Sequence, residues 1–350
     1  MPSRRWILFA AILVAAPLSA QSPSNKEPPP LDDAGLLQRV TASVDRGLAH
    51  LAKVQYPDGS WPSGYGGGGR NNGINGVAIL SFLGRGHHPE RGRYKDVLTR
   101  GRNYIISTQN EQGLYKSANQ SHGPMYEHAL ATLAMVELYG MAADPKQEAS
   151  VRKAITLLVR SQSPEGGWRY QPSSQDADVS VTVMQVVALR AAQNAGMPVP
   201  QRTLDRAVEY VKRCATPRGG FGYQPGNGEG AARTAAGILS LQLAGKPDDP
   251  SVKKAFDYLN TQPVVWGGEY FYYTHYYAIQ AQYQAGGDSW NRWHPKVREL
   301  LLRQQNANGS WSVPPGGNEN QTTERNNVYP TAMACLVLEV YFHLLPAYQR

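Results

Sequence analysis

Apolar residues recur at helical spacing along most of the chain, in segments that come in pairs separated by a turn. The first segments of these pairs include 36–54, 151–160, 204–214 and 297–303. The second segments include 77–83, 128–139, 179–192, 233–243 and 331–345. The sequence has 35 glycines and 25 prolines, which are high counts for a helical protein, so the pattern predicts many short helices in series.

The turn inside each pair carries the repeated pattern Gln-x3-Gly-x-aromatic. Four copies begin at Gln55, Gln109, Gln162 and Gln305, and degenerate copies cover 216–221 and 262–268. The aromatic anchors are Trp61, Tyr115, Trp168, Phe221, Trp266 and Trp311, spaced by 54, 53, 53, 45 and 45 residues. One helix pair cannot bury both of its faces alone, so the pairs are predicted to stack and close into a ring, one helix outside and one inside. The predicted fold is all-α, an (α/α)6 toroid of six helix-pair repeats.

The repeated pattern resembles the QW motif of the terpenoid-cyclase and protein prenyltransferase superfamily, which includes the squalene cyclases. The resemblance spans essentially the whole chain after its first residues. It implies that the Gln and Trp tie neighbouring helix pairs together, and that every inner helix begins at the same end of the ring. Toroids of this kind also carry glycoside hydrolases and polysaccharide lyases, so the fold alone does not select a reaction.

Polar and aromatic residues at the starts of the inner helices are the candidate site. The segment 175–182 resembles the Asp-x-Asp-Asp-Thr element of squalene-hopene-type cyclases, in which the middle aspartate protonates an alkene; the resemblance would give that role to Asp178. Val179 replaces the next aspartate, and an N-cap of the inner helix is the alternative role for Asp178. The predicted catalytic residues are Asp178, Asp176, His275 and Glu127, and the predicted ligand-binding residues are His128, Arg233, Tyr273, Tyr276 and Arg325.

No metal site and no cofactor are predicted. The resemblance to the prenyltransferase β-subunit would imply a zinc bound by Asp-x-Cys and a later histidine, but Ser180 stands where that cysteine would be. Cys214 and Cys335 lie in separate predicted helices and share no metal-type spacing, and they form no disulfide framework.

The first residues predict export. Arg4 and Arg5 precede an apolar run, 6–18, that ends in Ser19 and Ala20, as in a secretory leader cleaved near Ala20. The polar, proline-rich stretch 21–34 is predicted to be a tether, and 35–350 the toroid. We therefore expect a periplasmic or extracellular protein without a membrane span after cleavage, by either the general or the twin-arginine route.

Charge adds one constraint on partners. The net charge of +8 is scattered along the chain, so a nucleic-acid partner is not predicted, and an acidic partner is only weakly indicated.

The leading functional prediction is a toroid that binds a hydrophobic, isoprenoid-type or extended ligand, small or polymeric, in its central cavity. The alternatives are a lyase or hydrolase acting on an acidic polysaccharide, and a non-catalytic scaffold. Six helix N-termini at one mouth favour an anionic ligand, and the polar connection 312–328 is a candidate cover for that mouth.

Overall fold

A computed structural model describes residues 34–64, 69–117, 123–319 and 326–342. This part of the chain holds twelve α-helices, a short 3-10 turn at Glu339–Tyr341 and isolated β-bridges. The helices are α1 (Ala34–Val54), α2 (Asn72–Gly84), α3 (Lys95–Ser107), α4 (Met125–Met141), α5 (Pro145–Arg160), α6 (Val179–Asn194), α7 (Gln201–Arg213), α8 (Ala231–Leu243), α9 (Pro250–Thr261), α10 (Phe271–Ala285), α11 (Gly287–Gln304) and α12 (Val328–Leu338). The predicted leader and most of the tether fall on residues 1–33, outside the described residues, and stay predictions.

The even-numbered helices form a closed inner ring, in which each packs against the next and α12 packs against α2. The odd-numbered helices surround it. Every residue of α2 is buried, because an inner helix has neighbours on all sides. An outer helix such as α7 instead buries only one stripe, which includes Leu204, Ala207, Val208 and Val211. The prediction of an all-α toroid of helix pairs is confirmed. Among the described helices, none is both long and apolar enough to cross a bilayer.

The glutamine of each full Gln-x3-Gly copy joins its turn to the next outer helix. Gln55 Nε2 donates to the carbonyls of Gly59, in its own turn, and Val97, in α3, both at 3.0 Å. Gln305 Nε2 donates to Ser43 O of α1 at 2.8 Å, which closes the outer ring between the last helix and the first. Gly59 has φ +92°, and a Cβ there would collide with the α3 backbone, so the turn requires glycine. The same two bonds recur at Gln109 and Gln162.

The tryptophan anchors join the two helices of their own pair. Trp61, Trp168 and Trp311 are fully buried. Each indole Nε1 donates, at 2.8 Å, to the carbonyl ten residues earlier in the outer helix, as from Trp168 to Leu158 O. Each anchor's backbone N–H donates to a side chain on the fourth residue of the inner helix, as from Trp168 N to Thr182 Oγ1 at 3.0 Å. The fifth anchor departs from this scheme, because Trp266 is only half-buried and packs against Phe271.

We expect Trp168→Ala to lower the free energy of unfolding by about 3–5 kcal/mol, because it leaves a large cavity between α5 and α6. Chemical denaturation measures this. Trp266→Ala is the matched control, since its half-buried ring should cost clearly less. Equal losses in the two variants would contradict the role given to the buried anchors.

Candidate functional site

A cavity of about 1020 Å³ lies at the N-terminal ends of the inner helices. The first turns of α2, α4, α6, α8 and α10 contribute to its wall, together with Tyr329 at the start of α12. The rest of the wall comes from 169–170, Tyr223, 262–263, Val265, 267–270 and 318–319, together with Trp293 of α11. Within the described residues, the cavity therefore lies at the end of the ring where the sequence analysis placed the candidate site.

Aromatic side chains make up much of the cavity wall. Rings from neighbouring elements contact one another, as Tyr126 of α4 does with Tyr170, with ring centroids 5.8 Å apart. Tyr273 packs against Tyr277, with ring centroids 4.7 Å apart. The aromatic lining residues are Tyr126, Tyr170, Tyr223, Tyr270, Phe271, Tyr273, Trp293 and Tyr329. Such a wall offers large, rigid apolar faces with hydroxyl groups at their edges.

Asp178 caps α6 and lies directly behind the wall. Its Oδ1 accepts a hydrogen bond from Val181 N at 2.8 Å, and the residue is fully buried. Its Oδ2 accepts one from the Tyr223 hydroxyl at 3.0 Å. Burial raises the pKa of Asp178 to about 6, against the lowering effect of the bonds from Val181 and Tyr223. The carboxyl is thus one hydrogen bond away from a cavity-lining tyrosine.

Arg169 holds the second aspartate of this segment. Its guanidinium forms an ion pair with Asp176 and lies 3.9 Å from Asp178 Oδ2. It also lies over the rings of Tyr170 and Tyr223, 5.1 and 5.7 Å from their centroids. The cation is therefore already engaged on both sides by acids and aromatic faces.

Glu127 lines the cavity and is 3% exposed. Its Oε2 accepts bonds from Asn72 N at 3.3 Å, at the start of α2, and from both the N–H and the hydroxyl of Ser117. Its Oε1 is enclosed and has no hydrogen-bond partner. Burial raises the pKa of Glu127 to about 7, so a large share of this carboxyl is uncharged at neutral pH.

Glu319 forms a second buried carboxyl in the wall, which the sequence analysis did not single out. Its two oxygens accept bonds from Tyr272 N at 2.9 Å and Tyr273 N at 2.8 Å, so it caps the first turn of α10 from a distant segment. The Tyr329 hydroxyl donates to it at 3.2 Å. Burial raises the pKa of Glu319 to about 7.

The other predicted residues divide between the wall and the core. His275, Arg233 and Tyr273 line the cavity. Burial lowers the pKa of His275 to about 4, so its ring is neutral, and its Nδ1 is enclosed without a partner. Tyr276 is buried outside the wall. Arg325 lies outside the described residues.

His128 has the contacts of a packing residue. It is fully buried on the fourth position of α4, where its Nδ1 accepts from Tyr115 N at 3.2 Å. Its Nε2 contacts Ala154 O at 3.3 Å. Both ring nitrogens thus bond to neighbouring backbone groups, and the bond from Tyr115 links the anchor to its inner helix as Thr182 does in the next pair. His128 does not line the cavity.

The described residues contain no group of three His, Cys, Asp or Glu side chains arranged to hold a metal ion. Cys214 and Cys335 are both buried and free. The wall combines aromatic faces, two buried glutamates whose pKa values are raised by burial, an exposed glutamate, Glu269, and two arginines, of which Arg169 is ion-paired.

A family model described as the prenyltransferase alpha-alpha toroid domain matches residues 74–268. Drimenyl diphosphate synthase from Streptomyces showdoensis is 24% identical over 188 residues, which are 53% of this chain and 33% of that protein. The chain thus matches only about a third of that curated relative's length.

Two kinds of solved structure share the fold. The type II terpene cyclase MstE from Scytonema superposes with a TM-score of 0.61 at 13% identity, over 88% of this chain and 100% of that one. It has also been solved with its substrate, geranylgeranyl dihydroxybenzoate. The GH76A alpha-1,6-mannanase from Salegentibacter sp. HEL1_6 superposes with a TM-score of 0.62 at 10% identity, over 87% and 99% of the two chains. At these identities, the likeness shows the fold alone.

We expect Asp178→Asn to keep the α6 cap, while Asp178→Ala should lower the free energy of unfolding by about 1–2 kcal/mol. The folded pKa of about 6 exceeds the ordinary 3.8, so the wild type should lose stability relative to Asp178→Asn as pH rises from 4 through 6. The difference should reach about 2–3 kcal/mol at pH 8. Urea unfolding at pH 4, 6 and 8 measures it. A difference that does not change with pH would show that burial does not perturb this carboxyl.

Proposed function

Because the chain belongs to the prenyltransferase alpha-alpha toroid family, we propose that it binds a hydrophobic, isoprenoid-type ligand in the cavity at the starts of its inner helices. The observation that carries the proposal is the wall of eight aromatic side chains around a cavity of about 1020 Å³. That volume lies at the upper end of the range for small-molecule pockets, about 300–1,000 Å³. An isoprenoid chain would therefore find room within it.

Ring faces suit the chemistry of an isoprenoid. Branched methyl groups and carbon–carbon double bonds make dispersion contacts with aromatic rings, and the negative faces of Tyr126, Tyr170 and Tyr273 would stabilise positive charge on such a chain. Ile74, Leu130 and Met184 add aliphatic surface from three inner helices. The wall thus offers apolar contact along several directions.

The polar groups of the wall are less suited to a sugar. A carbohydrate site needs side-chain donors and acceptors that are free to bind hydroxyl groups. Asn71 caps α2 through Gly73 N and Ile74 N, and Glu319 caps α10. Arg169 is held by Asp176. These groups already bond to the protein, and two unpartnered polar atoms of the described wall, Glu127 Oε1 and His275 Nδ1, are enclosed. Both observations support the hydrophobic ligand over the polysaccharide alternative.

Asp178 keeps two roles within this proposal. It caps α6 through one oxygen, and its other oxygen bonds to Tyr223, whose hydroxyl also contacts that of Tyr170. Since Asp178 is itself fully buried, a proton from this carboxyl would reach the ligand through Tyr223: the protonated carboxyl gives its proton to the Tyr223 oxygen as the Tyr223 O–H gives its own proton to the ligand. The geometry therefore connects the acid to the cavity without exposing it.

We expect the wild-type protein to bind farnesol, an isoprenoid alcohol, with quenching of tryptophan fluorescence because Trp293 lines the cavity. Tyr273→Ala should weaken binding about tenfold by removing one ring of the wall. Tyr139→Ala is the control, since this residue lies on α4 about 20 Å along the helix from Tyr126. Alpha-1,6-mannotriose is titrated in parallel. Binding of the sugar but not of farnesol would refute the proposal.

A further inference from the structure

We propose that the polar end of the ligand is uncharged, so that the cavity accepts an isoprenoid alcohol, phenol or hydrocarbon and disfavours a prenyl diphosphate. This inference rests on the proposed isoprenoid function and narrows it to one class of head group. It narrows the expectation that six helix N-termini favour an anion, because side chains of the protein already cap three of these helix ends, those of α2, α6 and α10.

Side chains of the protein already satisfy the N-termini of three inner helices at the cavity. Glu127 and Asn71 accept bonds from the first N–H groups of α2. Asp178 accepts from Val181 N in α6, and Glu319 accepts from Tyr272 N and Tyr273 N in α10. A phosphate group would need these same donors. At these three helices, it would have to displace a carboxyl or amide group that is already bonded there.

The charges of the wall do not favour an anion either. The charged side chains that line the described part of the cavity are Arg169, Arg233, Glu127, Glu269 and Glu319. Arg169 is neutralised by its ion pair with Asp176. A diphosphate carries several negative charges, and among the described residues of the wall it would meet three glutamates, two of them partly protonated at neutral pH, with Arg233 as the one further cation to balance it. Like charges placed together across an interface weaken binding strongly.

Among the described lining residues, Arg233 is the cation that could still attract an anion. It lies beside the N-terminus of α8, whose N-cap residue Gly230 provides no side-chain cap. Its guanidinium folds back over that first turn, where a Cβ on Gly230 would contact Arg233 Nη2 at 2.5 Å. It also donates to Glu229 O at 3.5 Å. The group is thus turned toward its own helix end, and a single arginine does not offset the glutamates.

The burial of two glutamates in the wall adds to the cost of binding an anion. Glu127 and Glu319 are 3% and 7% exposed, so neither can turn away from the wall into bulk water. An anion beside them would bind only if they stayed protonated, which adds a cost that a neutral head group does not have. An uncharged hydroxyl or an apolar end leaves both carboxyls as they are.

The test compares two ligands with the same fifteen-carbon tail. Farnesol and farnesyl diphosphate are titrated into the full chain by isothermal titration calorimetry, with and without magnesium. We expect the diphosphate to bind at least about tenfold more weakly than the alcohol in both conditions. Equal or tighter binding of the diphosphate in either condition would overturn the inference. If neither ligand binds, the proposed isoprenoid function itself fails, and that outcome is distinct from the first.

Two variants test whether the glutamates cause the discrimination. In Glu127→Gln the amide oxygen can accept the bonds from Asn72 and Ser117, and Glu319→Gln removes the second charge independently. Each variant should reduce the dissociation constant of farnesyl diphosphate relative to that of farnesol, and we expect this ratio to fall about threefold or more. Glu148→Gln, on the outer helix α5 in an exposed pair with Arg152, is the control and should leave the ratio unchanged. A ratio that neither Glu127→Gln nor Glu319→Gln reduces, with both variants folded by thermal unfolding, would overturn this explanation.

Discussion

The closed ring of inner helices is the constraint on which the rest of the structure depends. An inner helix such as α2 is buried on every side, so it has no face to offer to water and must find a neighbour in both directions. The contact of α12 with α2 provides the last neighbour, and the bond from Gln305 to Ser43 O closes the outer ring at the same place. A ring left open would expose the apolar sides of two inner helices.

Closure of the ring also determines where the polar groups of the cavity lie. Because each pair runs from outer helix through the turn to inner helix, the first turns of the inner helices meet at one end of the ring, where their N–H groups need acceptors. Asp178, Glu127 and Glu319 provide them, and all three carboxyls have raised pKa values because the ring buries them. The acids of the cavity are therefore first of all capping groups, and a ligand binds next to three helix ends, those of α2, α6 and α10, whose N–H groups already bond to side chains.

The repeats made most of the fold predictable, and local spacing made part of the site predictable. The sequence predicts Asp178 as a possible helix cap because the N–H group that its carboxyl accepts from, Val181 N, lies only three residues later. Glu319 could not be found in this way, since its partners on α10 lie 46 and 47 residues earlier in the sequence. Only the three-dimensional path of the segment after the last anchor brings it to the cavity.

Two further features could have been found from the repeats. The fourth residue of the inner helix accepts a bond from the anchor at Asn75, Thr182, Thr234 and Thr331, and His128 occupies the corresponding position. That alignment would have assigned His128 to packing. Similarly, Tyr170 and Tyr223 both lie two residues after an anchor, where the chain enters the cavity wall. Comparing the repeats position by position carries information that the anchors alone do not.

A hydrophobic ligand in the cavity would travel with the protein through purification. Native mass spectrometry of the protein purified from its own host, followed by lipid extraction, tests for it most directly. We expect a non-covalent complex with one uncharged hydrophobic molecule per chain, released by organic solvent. Protein that carries an oligosaccharide, or that carries no ligand and takes up none when incubated with prenyl alcohols, would contradict the account.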